Sequence, residues 1–138
     1  MLKLIVDTNV FVSALIQRSY PYYIVDKVLS KEDLQLCISK ELLEEYFDVL
    51  NRKKFSRFPD FIVNAQALLA SIEDIAKSYK PSIKLNILTD KDDNKLLELA
   101  DVSKADFIIT GNTNDFTIPN YKRTKIVTPK QFWESYFI

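Results

Sequence analysis

The sequence predicts an α/β fold, a three-layer α/β/α sandwich around a mainly parallel five-stranded sheet. Short apolar runs alternate with longer stretches of helical periodicity, and the runs are nearly continuous in Ile, Leu, Val and Phe, as strands covered on both faces are. The chain also has no low-complexity linker, internal repeat or break in composition. The strand-like runs lie at residues 2–6, 34–38, 83–88, 106–110 and 125–128.

Helical patterns fill the gaps between these strands. The first strand leads into a helix over residues 10–16. After the second strand, Ser39 is placed to cap a helix that extends to about Lys53. Pro59 and Pro129 open later helices, as proline does at a first helical position.

Length and composition suit one soluble domain spanning residues 1–138. Of the 138 residues 47% are hydrophobic and 28% charged, and a chain of this size buries about 68% of its unfolded surface. The single cysteine, Cys37, lies in an apolar strand, which excludes an intrachain disulfide and fits a reducing compartment. No apolar stretch approaches the roughly 18 residues of a membrane span, and no signal-peptide pattern follows Met1. We therefore expect a cytoplasmic protein.

The absence of histidine excludes several kinds of catalytic site. A Ser-His-Asp or Cys-His nucleophile, a paired-histidine ribonuclease and a histidine-ligated zinc site all require an imidazole. Clustered carboxylates without a soft ligand favour hard, oxygen-seeking ions. Chemistry in this chain is therefore expected to use carboxylates with Mg²⁺ or Mn²⁺.

Acidic and amide side chains follow two of the predicted strands. Asp7 and Asn9 come directly after the first strand, and the fourth strand runs into a turn that contains Asn112 and Asp115. The chain's one glycine, Gly111, starts that turn. A positive φ or a close approach of the backbone to a ligand would explain a glycine there, and so would an ordinary turn at a strand end. Because α/β sheets place their chemistry where strands end, these residues suggest one metal site.

Asp90 and Asp93 open a third candidate element, an apolar helix. Leu96, Leu97 and Ala100 follow Asp93 at three, four and seven positions, the spacing of one helical face. A charge on that inward face is stabilised by the helix dipole but needs a partner if it is buried. Helix capping explains Asp90 equally well, whereas Asp93 is the stronger candidate for a site.

The helix after Ser39 carries four acids, and helical geometry selects one. At 100° per residue the apolar side is centred between Leu42 and Leu50, about 115° from Glu45 and about 145° or more from the other three acids. Glu45 is therefore the acid nearest to the core. An ordinary solvated position on the helix surface explains the presence of this acid equally well. The remaining acids are Glu41, Glu44 and Asp48.

Four ordered blocks of the sequence resemble the PIN-domain family. They are VDTNV at residues 6–10, SKELLEE at 39–45, DKDDN at 90–94 and TGN at 110–112. Their order and spacing match the family over nearly the whole chain. The sequence is most similar to small prokaryotic PIN proteins, the VapC-like toxins of toxin–antitoxin pairs.

The resemblance implies a metal-dependent endoribonuclease with its site at the carboxyl edge of a parallel sheet. By position, Asp7, Glu45 and Asp93 match three recurrent acids of the family. Asn9 matches the polar position beside the first acid, and Thr110 matches the polar residue at the end of the fourth strand. The implied products carry 5′-phosphate and 3′-hydroxyl ends.

The fourth acid is where this sequence departs from the family pattern. Many relatives have Asp directly after the Thr-Gly pair, but here the residue is Asn112, with Asp115 three positions later. Either Asp115 substitutes as the fourth catalytic and metal-binding acid, or the second metal is weak, or activity is reduced. Asp90 and Asn112 are then supporting polar residues.

Two hypotheses for the mechanism remain open. In the catalytic one, Asp7 and Asp93 hold the first metal, and Glu45 binds it through a water or positions the attacking hydroxide. Asp115 or Asn112 helps to bind a second ion or the scissile phosphate. In the alternative, motivated by Asn112, a degenerate PIN module binds RNA or a protein without cleaving. A phosphoaspartyl enzyme is disfavoured because Asn9 stands where such enzymes have a second Asp.

Two basic segments are candidates for contacts with RNA phosphates beside the predicted acid pocket, although a solvated basic surface is a slightly better explanation of each. Net charge is zero, which argues against tight non-specific binding of polyanions by the whole surface. Each segment has aromatic neighbours that could stack on bases, Phe55 and Phe58 in the first and Tyr121 in the second. The basic residues are Arg52, Lys53, Lys54 and Arg57, then Lys122, Arg123 and Lys125.

Aromatic residues near two predicted helices could form a homodimer or partner surface, or pack within one domain, with equal support. They are Tyr20, Tyr22, Tyr23, Trp133, Tyr136 and Phe137. The resemblance implies an RNA substrate, a cognate antitoxin and a homodimer, with no membrane partner.

Overall fold

The structure, a computed structural model, describes residues 1–30, 33–88, 91–111 and 118–136, with the backbone alone at residues 91 and 92. The strands are β1 (Leu2–Val6), β2 (Leu34–Ile38), β3 (Lys77–Ser78), β4 (Phe107–Ile109), β5 (Asn120–Tyr121) and β6 (Thr124–Val127). The helices are α1 (Thr8–Ile16), α2 (Tyr20–Leu29), α3 (Lys40–Leu50), α4 (Phe61–Ile75), α5 (Lys91–Ser103) and α6 (Pro129–Tyr136), with a 3-10 helix over Lys53–Arg57.

The strands form one sheet in the order β3-β2-β1-β4-β6-β5. All neighbours are parallel except β5 and β6, which are antiparallel. From the central β1 the chain builds outward through β2 and β3, then returns to place β4 on the other side of β1. In open α/β sheets ligands bind at the carboxyl ends of the strands where the order reverses in this way. That point lies just beyond Val6 and Ile109, which are paired in register.

Both faces of the sheet are covered. Leu4, Ile5 and Val6 are all fully buried, although successive residues of a strand point to opposite faces. Leu36 and Cys37 in β2 are buried in the same way. The three-layer sandwich predicted from the near-continuous apolar strands is therefore confirmed.

Helix packing brings α3 and α5 together beside the central strands. Helix α1 packs on α2, α3 and α4, whereas α5 packs on β1, β2 and α3. Helix α5 is buried around most of its circumference, because Asn94 and every residue from Leu96 to Ala100 are buried. A helix buried on this scale fixes the side chains of its first turns firmly.

One predicted strand is wrong, since residues 83–88 belong to no sheet. Their backbone N–H groups donate to α5 instead: Leu85 N lies 2.8 Å from Glu98 Oε2, and Leu88 N lies 2.9 Å from Asn94 Oδ1. Asn94 Oδ1 also accepts from Ile87 N, and Asn94 Nδ2 donates to the Leu88 carbonyl. Buried side chains of the helix thus take the place of a neighbouring strand.

The remaining element predictions differ from the structure mainly at their boundaries. The sheet has six strands rather than five because the two-residue strands β3 and β5 carry no sequence pattern. Helix α3 ends at Leu50, before the predicted Lys53, and α4 begins two residues after Pro59. Pro129 opens α6 as predicted, and the predicted cap is confirmed, with Leu42 N donating to Ser39 Oγ at 3.1 Å.

Three smaller observations complete the fold. Cys37 is fully buried, as predicted, and burial raises the pKa of its thiol to about 11. Gly111 does not have a positive φ, and a Cβ there would meet no described atom within 4 Å, so neither the backbone conformation nor the described neighbours require a glycine. Within the part of the chain that the structure describes, no helix combines the length and the apolar character that crossing a bilayer requires.

Candidate functional site

Asp7 lies where the strand order reverses, between the carboxyl ends of β1 and β4. Asp7 N donates to the Ile109 carbonyl at 2.9 Å, and Thr110 Oγ1 donates to Asp7 Oδ2 at 2.8 Å. Although Asp7 is the N-cap residue of α1, its side chain forms no capping hydrogen bond. The carboxylate, only 7% exposed, is therefore held by the neighbouring strand and is not used to start the helix.

The electrostatics of Asp7 are unfavourable to its charged form. Burial raises the pKa of the Asp7 carboxyl above its ordinary value. The hydrogen bond from Thr110 acts in the opposite direction, but the negative charge of Glu45 raises the pKa further. Two carboxylates thus share one crevice at the carboxyl edge of the sheet.

Glu45 reaches this crevice from α3. Its side chain is 22% exposed, whereas Glu41, Glu44 and Asp48 on the same helix are exposed, which confirms the prediction that Glu45 is the acid nearest to the core. Glu45 Oε2 accepts a hydrogen bond from the Thr8 hydroxyl. Both oxygens of this carboxylate are engaged, because Lys95 from α5 contacts the other one.

Helix α5 contributes Asp93 and Lys95. Lys95 Nζ lies 2.5 Å from Glu45 Oε1, and its positive charge also lowers the pKa of Asp7. Asp93 lies in the first turn of the helix, where the dipole favours an acid, and its Oδ2 atom is buried. We use the name acid cluster for the group that the structure brings together: Asp7, Thr8, Glu45, Lys95 and Thr110.

The donor atoms of this cluster decide whether it suits a divalent metal. Carboxylate and hydroxyl oxygens are the ligands that Mg²⁺ and Mn²⁺ prefer. Burial, and to a smaller extent the charge of Glu45, raise the pKa of Asp7, so its charged form would gain from a bound cation. Among the described residues, however, no three Asp, Glu or Cys side chains are close enough to hold one ion. The described residues thus offer two carboxylates of suitable donor chemistry, Asp7 and Glu45, but do not bring Asp93 together with them in one three-acid group.

The other predicted polar residues are divided between exposed and undescribed positions. Asn9 is exposed in the first turn of α1, and the adjacent residue Thr8 makes the contact with Glu45 instead. Asp90, Asn112 and Asp115 lie outside the described residues. The choice between Asn112 and Asp115 as fourth ligand therefore stays a prediction.

Tyr46 supports the site from beneath. Its ring is fully buried, with the Phe11 ring edge-on at 4.9 Å, and its hydroxyl donates to the Val6 carbonyl. Burial raises the pKa of Tyr46 well above its ordinary value, and the charges of Asp7 and Glu45 add to this effect. The hydroxyl therefore stays protonated and anchors the backbone directly before Asp7.

Sequence analysis missed the roles of Thr8, Tyr46 and Lys95. Tyr46 lies within the apolar side predicted between Leu42 and Leu50, and that pattern gives no sign of a role for its hydroxyl. One feature of the sequence could have indicated the role of Lys95: the apolar run that follows it leaves α5 with little polar surface. A lysine at the start of such a helix has few solvated positions available.

The first basic segment extends from the end of α3. Arg52 pairs with Asp48 at 3.1 Å, and Arg57 lies over the Phe58 ring at 4.9 Å. The Phe55 ring, proposed for stacking on bases, stacks instead on Phe61 at 4.9 Å. The segment starts seven residues after Glu45, about 10 Å along a helix axis.

The second basic segment lies at the opposite edge of the sheet from Asp7. Lys122 and Arg123 form the turn before β6, whose first residues pair with the start of β4. Lys122 Nζ is 2.6 Å from Asp101 Oδ1, and Arg123 is 3.1 Å from Asp106 Oδ1. The expectation that these two residues flank the acid pocket is therefore wrong, because the hairpin turn carries them to the amino ends of the strands.

The aromatic residues of α2 and α6 pack largely on one another. The rings of Tyr23 and Trp133 are 5.6 Å apart, and those of Phe132 and Tyr136 stack at 5.5 Å. Tyr23 remains 43% exposed and Tyr136 39% exposed, and Phe137 lies outside the described residues. Packing within the chain thus accounts for much of this group.

Comparison with known proteins agrees with this architecture. A family model described as PIN domain matches residues 3–114. An uncharacterized protein of Methanocaldococcus jannaschii is 30% identical over 146 aligned positions, which cover 98% of this chain and 92% of the relative.

A solved structure is also similar. It is VapBC2 from Rickettsia felis bound to a DNA fragment from their promoter, with a TM-score of 0.59 and 17% identity over 92% of this chain and 98% of the other. At that identity the likeness shows the fold alone. The family model spans β1 to the end of β4 and includes Asp7, Glu45 and Asp93; the chain belongs to the PIN domain family.

Proposed function

We propose that this chain is an endoribonuclease that hydrolyses RNA phosphodiester bonds with Mg²⁺ or Mn²⁺ bound at the acid cluster. The observation that carries the proposal is the pairing of two carboxylates, Asp7 and Glu45, in the crevice where the strand order reverses. Burial and like charge raise the pKa of Asp7. Such an arrangement destabilises the free protein and is typical of a site built for a cationic ligand.

The residues of the chain have distinct roles in this proposal. Asp7 and Asp93 bind the ion, and Glu45 orients the attacking water, with Asp115 or Asn112 completing the site. A bound Mg²⁺ or Mn²⁺ supplies a more acidic water and neutralises charge on the scissile phosphate. Thr110 and Thr8 hold the carboxylates of Asp7 and Glu45 in position through the hydrogen bonds that they donate. In-line attack by water leaves 5′-phosphate and 3′-hydroxyl ends.

The biological setting follows by analogy. The similar fold of VapBC2 was solved with promoter DNA, and the sequence blocks resemble toxins of toxin–antitoxin pairs. We therefore propose a cytoplasmic toxin that forms a homodimer and is bound by a cognate antitoxin protein. Exposed parts of Tyr23 and Tyr136 are available for such contacts.

A second candidate function is a PIN module that binds RNA or protein without cleavage. It is favoured by one observation, the engagement of both Glu45 oxygens by groups of the chain itself, Thr8 and Lys95. In that case the ion pair completes a stable surface and no metal is required.

Cleavage of end-labelled RNA, single-stranded and structured, tests the proposal. Asp7→Asn and Glu45→Gln are each expected to reduce the rate with Mn²⁺ by about 100-fold or more, as loss of a charged ligand at a metal site does. Glu44→Gln, one residue away on the exposed side of α3, is the matched control and is expected to retain the wild-type rate. Equal cleavage by wild type and Asp7→Asn would refute the assignment, and RNA binding without any cleavage would favour the second candidate.

A further inference from the structure

We infer that Lys95 is an internal counter-ion, a positioning residue that holds Glu45 in the metal-free protein and is displaced from it when a divalent cation binds. The inference rests on the proposed function, because it concerns the loading of the same site. It assigns a competitor for the metal within the chain itself.

The geometry of the ion pair supports this role. Lys95 Nζ is 2.5 Å from Glu45 Oε1, and the two side chains are 21% and 22% exposed. Among the ion pairs of residues 1–30, 33–88, 91–111 and 118–136, this is the one in which both partners are less than a quarter exposed. Two charges with so little solvent around them are screened weakly, so each of them interacts strongly with its neighbours.

The position of Lys95 in its helix points the same way. It is the fifth residue of α5, beyond the first turn and far from the carboxyl end where the helix dipole would favour a base. Local helix electrostatics therefore do not explain a lysine here. The two carboxylates that face it from other elements, Asp7 and Glu45, do explain it, since Lys95 is the positive charge that acts on both.

The competition follows from the positive charge of Lys95. Thr8 and Lys95 engage one oxygen of Glu45 each. A cation bound at Asp7 beside Glu45 is repelled by the Lys95 ammonium and favours its release from Glu45, whereas the neutral hydroxyl of Thr8 can stay. Removing the ammonium group frees Glu45 Oε1 and makes the crevice more negative, and both effects favour a divalent ion. By linkage, metal binding then weakens the hold of Lys95 on Glu45.

Mn²⁺ binding to the full chain without RNA tests this inference, measured by isothermal titration calorimetry and by the electron paramagnetic resonance signal of free Mn²⁺. Lys95→Met is expected to bind Mn²⁺ about tenfold more tightly than wild type, because one positive charge is lost close to the ion. Lys95→Arg keeps the charge and is expected to restore wild-type affinity. Lys130→Met, which removes a lysine from an exposed pair on α6, is the matched control and is expected to bind as wild type does.

The outcomes separate the two proposals. If wild type binds Mn²⁺ and Lys95→Met binds it equally or more weakly, the counter-ion role is overturned while the proposed function stands. If neither protein binds Mn²⁺, the metal site itself is refuted. A purely structural role for Lys95 predicts weaker binding, so a gain in affinity cannot arise from damage. Lys95→Gln, which keeps a donor to Glu45 without the charge, gives the same test should the Met variant fail to fold, as judged by thermal melting.

Discussion

The pKa values of carboxyl groups are shifted in opposite directions at the amino edge and the carboxyl edge of the parallel strands. At the amino edge, Lys122 pairs with Asp101 and Arg123 with Asp106, and the hydrogen bond from Lys122 holds the pKa of Asp101 below its ordinary value. At the carboxyl edge, burial raises the pKa of Asp7. At the amino edge the charged carboxylates are stabilised by basic partners, whereas at the carboxyl edge the charged form of Asp7 is disfavoured, and a bound cation would stabilise it. Paired substitutions at the two edges test this difference.

The largest expected difference concerns two asparagines. Asn94 is buried near the carboxyl edge and accepts from Ile87 N and Leu88 N, so Asn94→Ala leaves buried backbone groups without partners. We expect it to lower the free energy of unfolding by about 3 kcal/mol. Asn120→Ala at the amino edge removes a bond to the Lys122 carbonyl in an exposed turn, with an expected effect of about 0.5 kcal/mol or less. Urea unfolding measures both free energies. Equal losses of stability in the two variants would contradict the expected difference between the two edges.

Two tyrosine hydroxyls give the next largest difference. Tyr46→Phe removes the buried donor to the Val6 carbonyl and is expected to lower the free energy of unfolding by about 1.5 kcal/mol. It should also slow RNA cleavage, because the backbone before Asp7 loses its anchor. Tyr121→Phe removes the partly buried bond to Asp101 Oδ1 and is expected to leave cleavage unchanged. Thermal melts and cleavage rates report the two effects, and a slower Tyr121→Phe enzyme would show that the edges are not independent.

The smallest expected difference concerns Asp7 and Asp101. Without added metal, their contributions to stability should change with pH in opposite directions. Asp7 has a raised pKa in the folded protein, so stability falls as pH rises from the unfolded value near 3.8 through the folded pKa. Asp7→Asn is therefore expected to stabilise the protein by about 1 kcal/mol near pH 7. This gain should vanish below the unfolded pKa, where the wild-type carboxyl is protonated in both states.

Asp101 is the control of opposite sign. Its folded pKa is lowered, so its stabilisation is full above the unfolded value of 3.8 and is lost as pH falls through the folded pKa. Asp101→Asn is expected to lower the melting temperature by only about 2 °C near pH 7, since the lysine partner is exposed. Melting temperatures measured across the acid range check both residues. A destabilised Asp7→Asn protein would show that the Asp7 charge is already compensated.

Local sequence patterns were sufficient to locate the carboxylates. The apolar run of β1 ends directly before Asp7, and the helical period of α3 separates Glu45 from its exposed neighbours. Both inferences use periodicity within one element, which the chain displays directly. The strands at residues 2–6 and 34–38 were predictable for the same reason.

Contacts between elements were not predictable in this way. Thr8 and Lys95 meet Glu45 across 37 and 50 positions of the chain, and no local period encodes such a meeting. The run at residues 83–88 has the apolar composition of a strand, but its backbone partners are side chains of α5. Lys122 and Arg123 were misplaced because the short β5 hairpin has no pattern by which its turn could be assigned to an edge.

The lateral borders of the sheet have a consequence for behaviour at high concentration. β3 and β5, the outermost strands, contain two residues each, and β3 carries a lysine. So short a border offers too few free backbone groups to recruit a strand from another molecule, and the lysine charge repels a second copy. The folded protein should therefore resist fibre growth through its sheet, even when it accumulates in quantity.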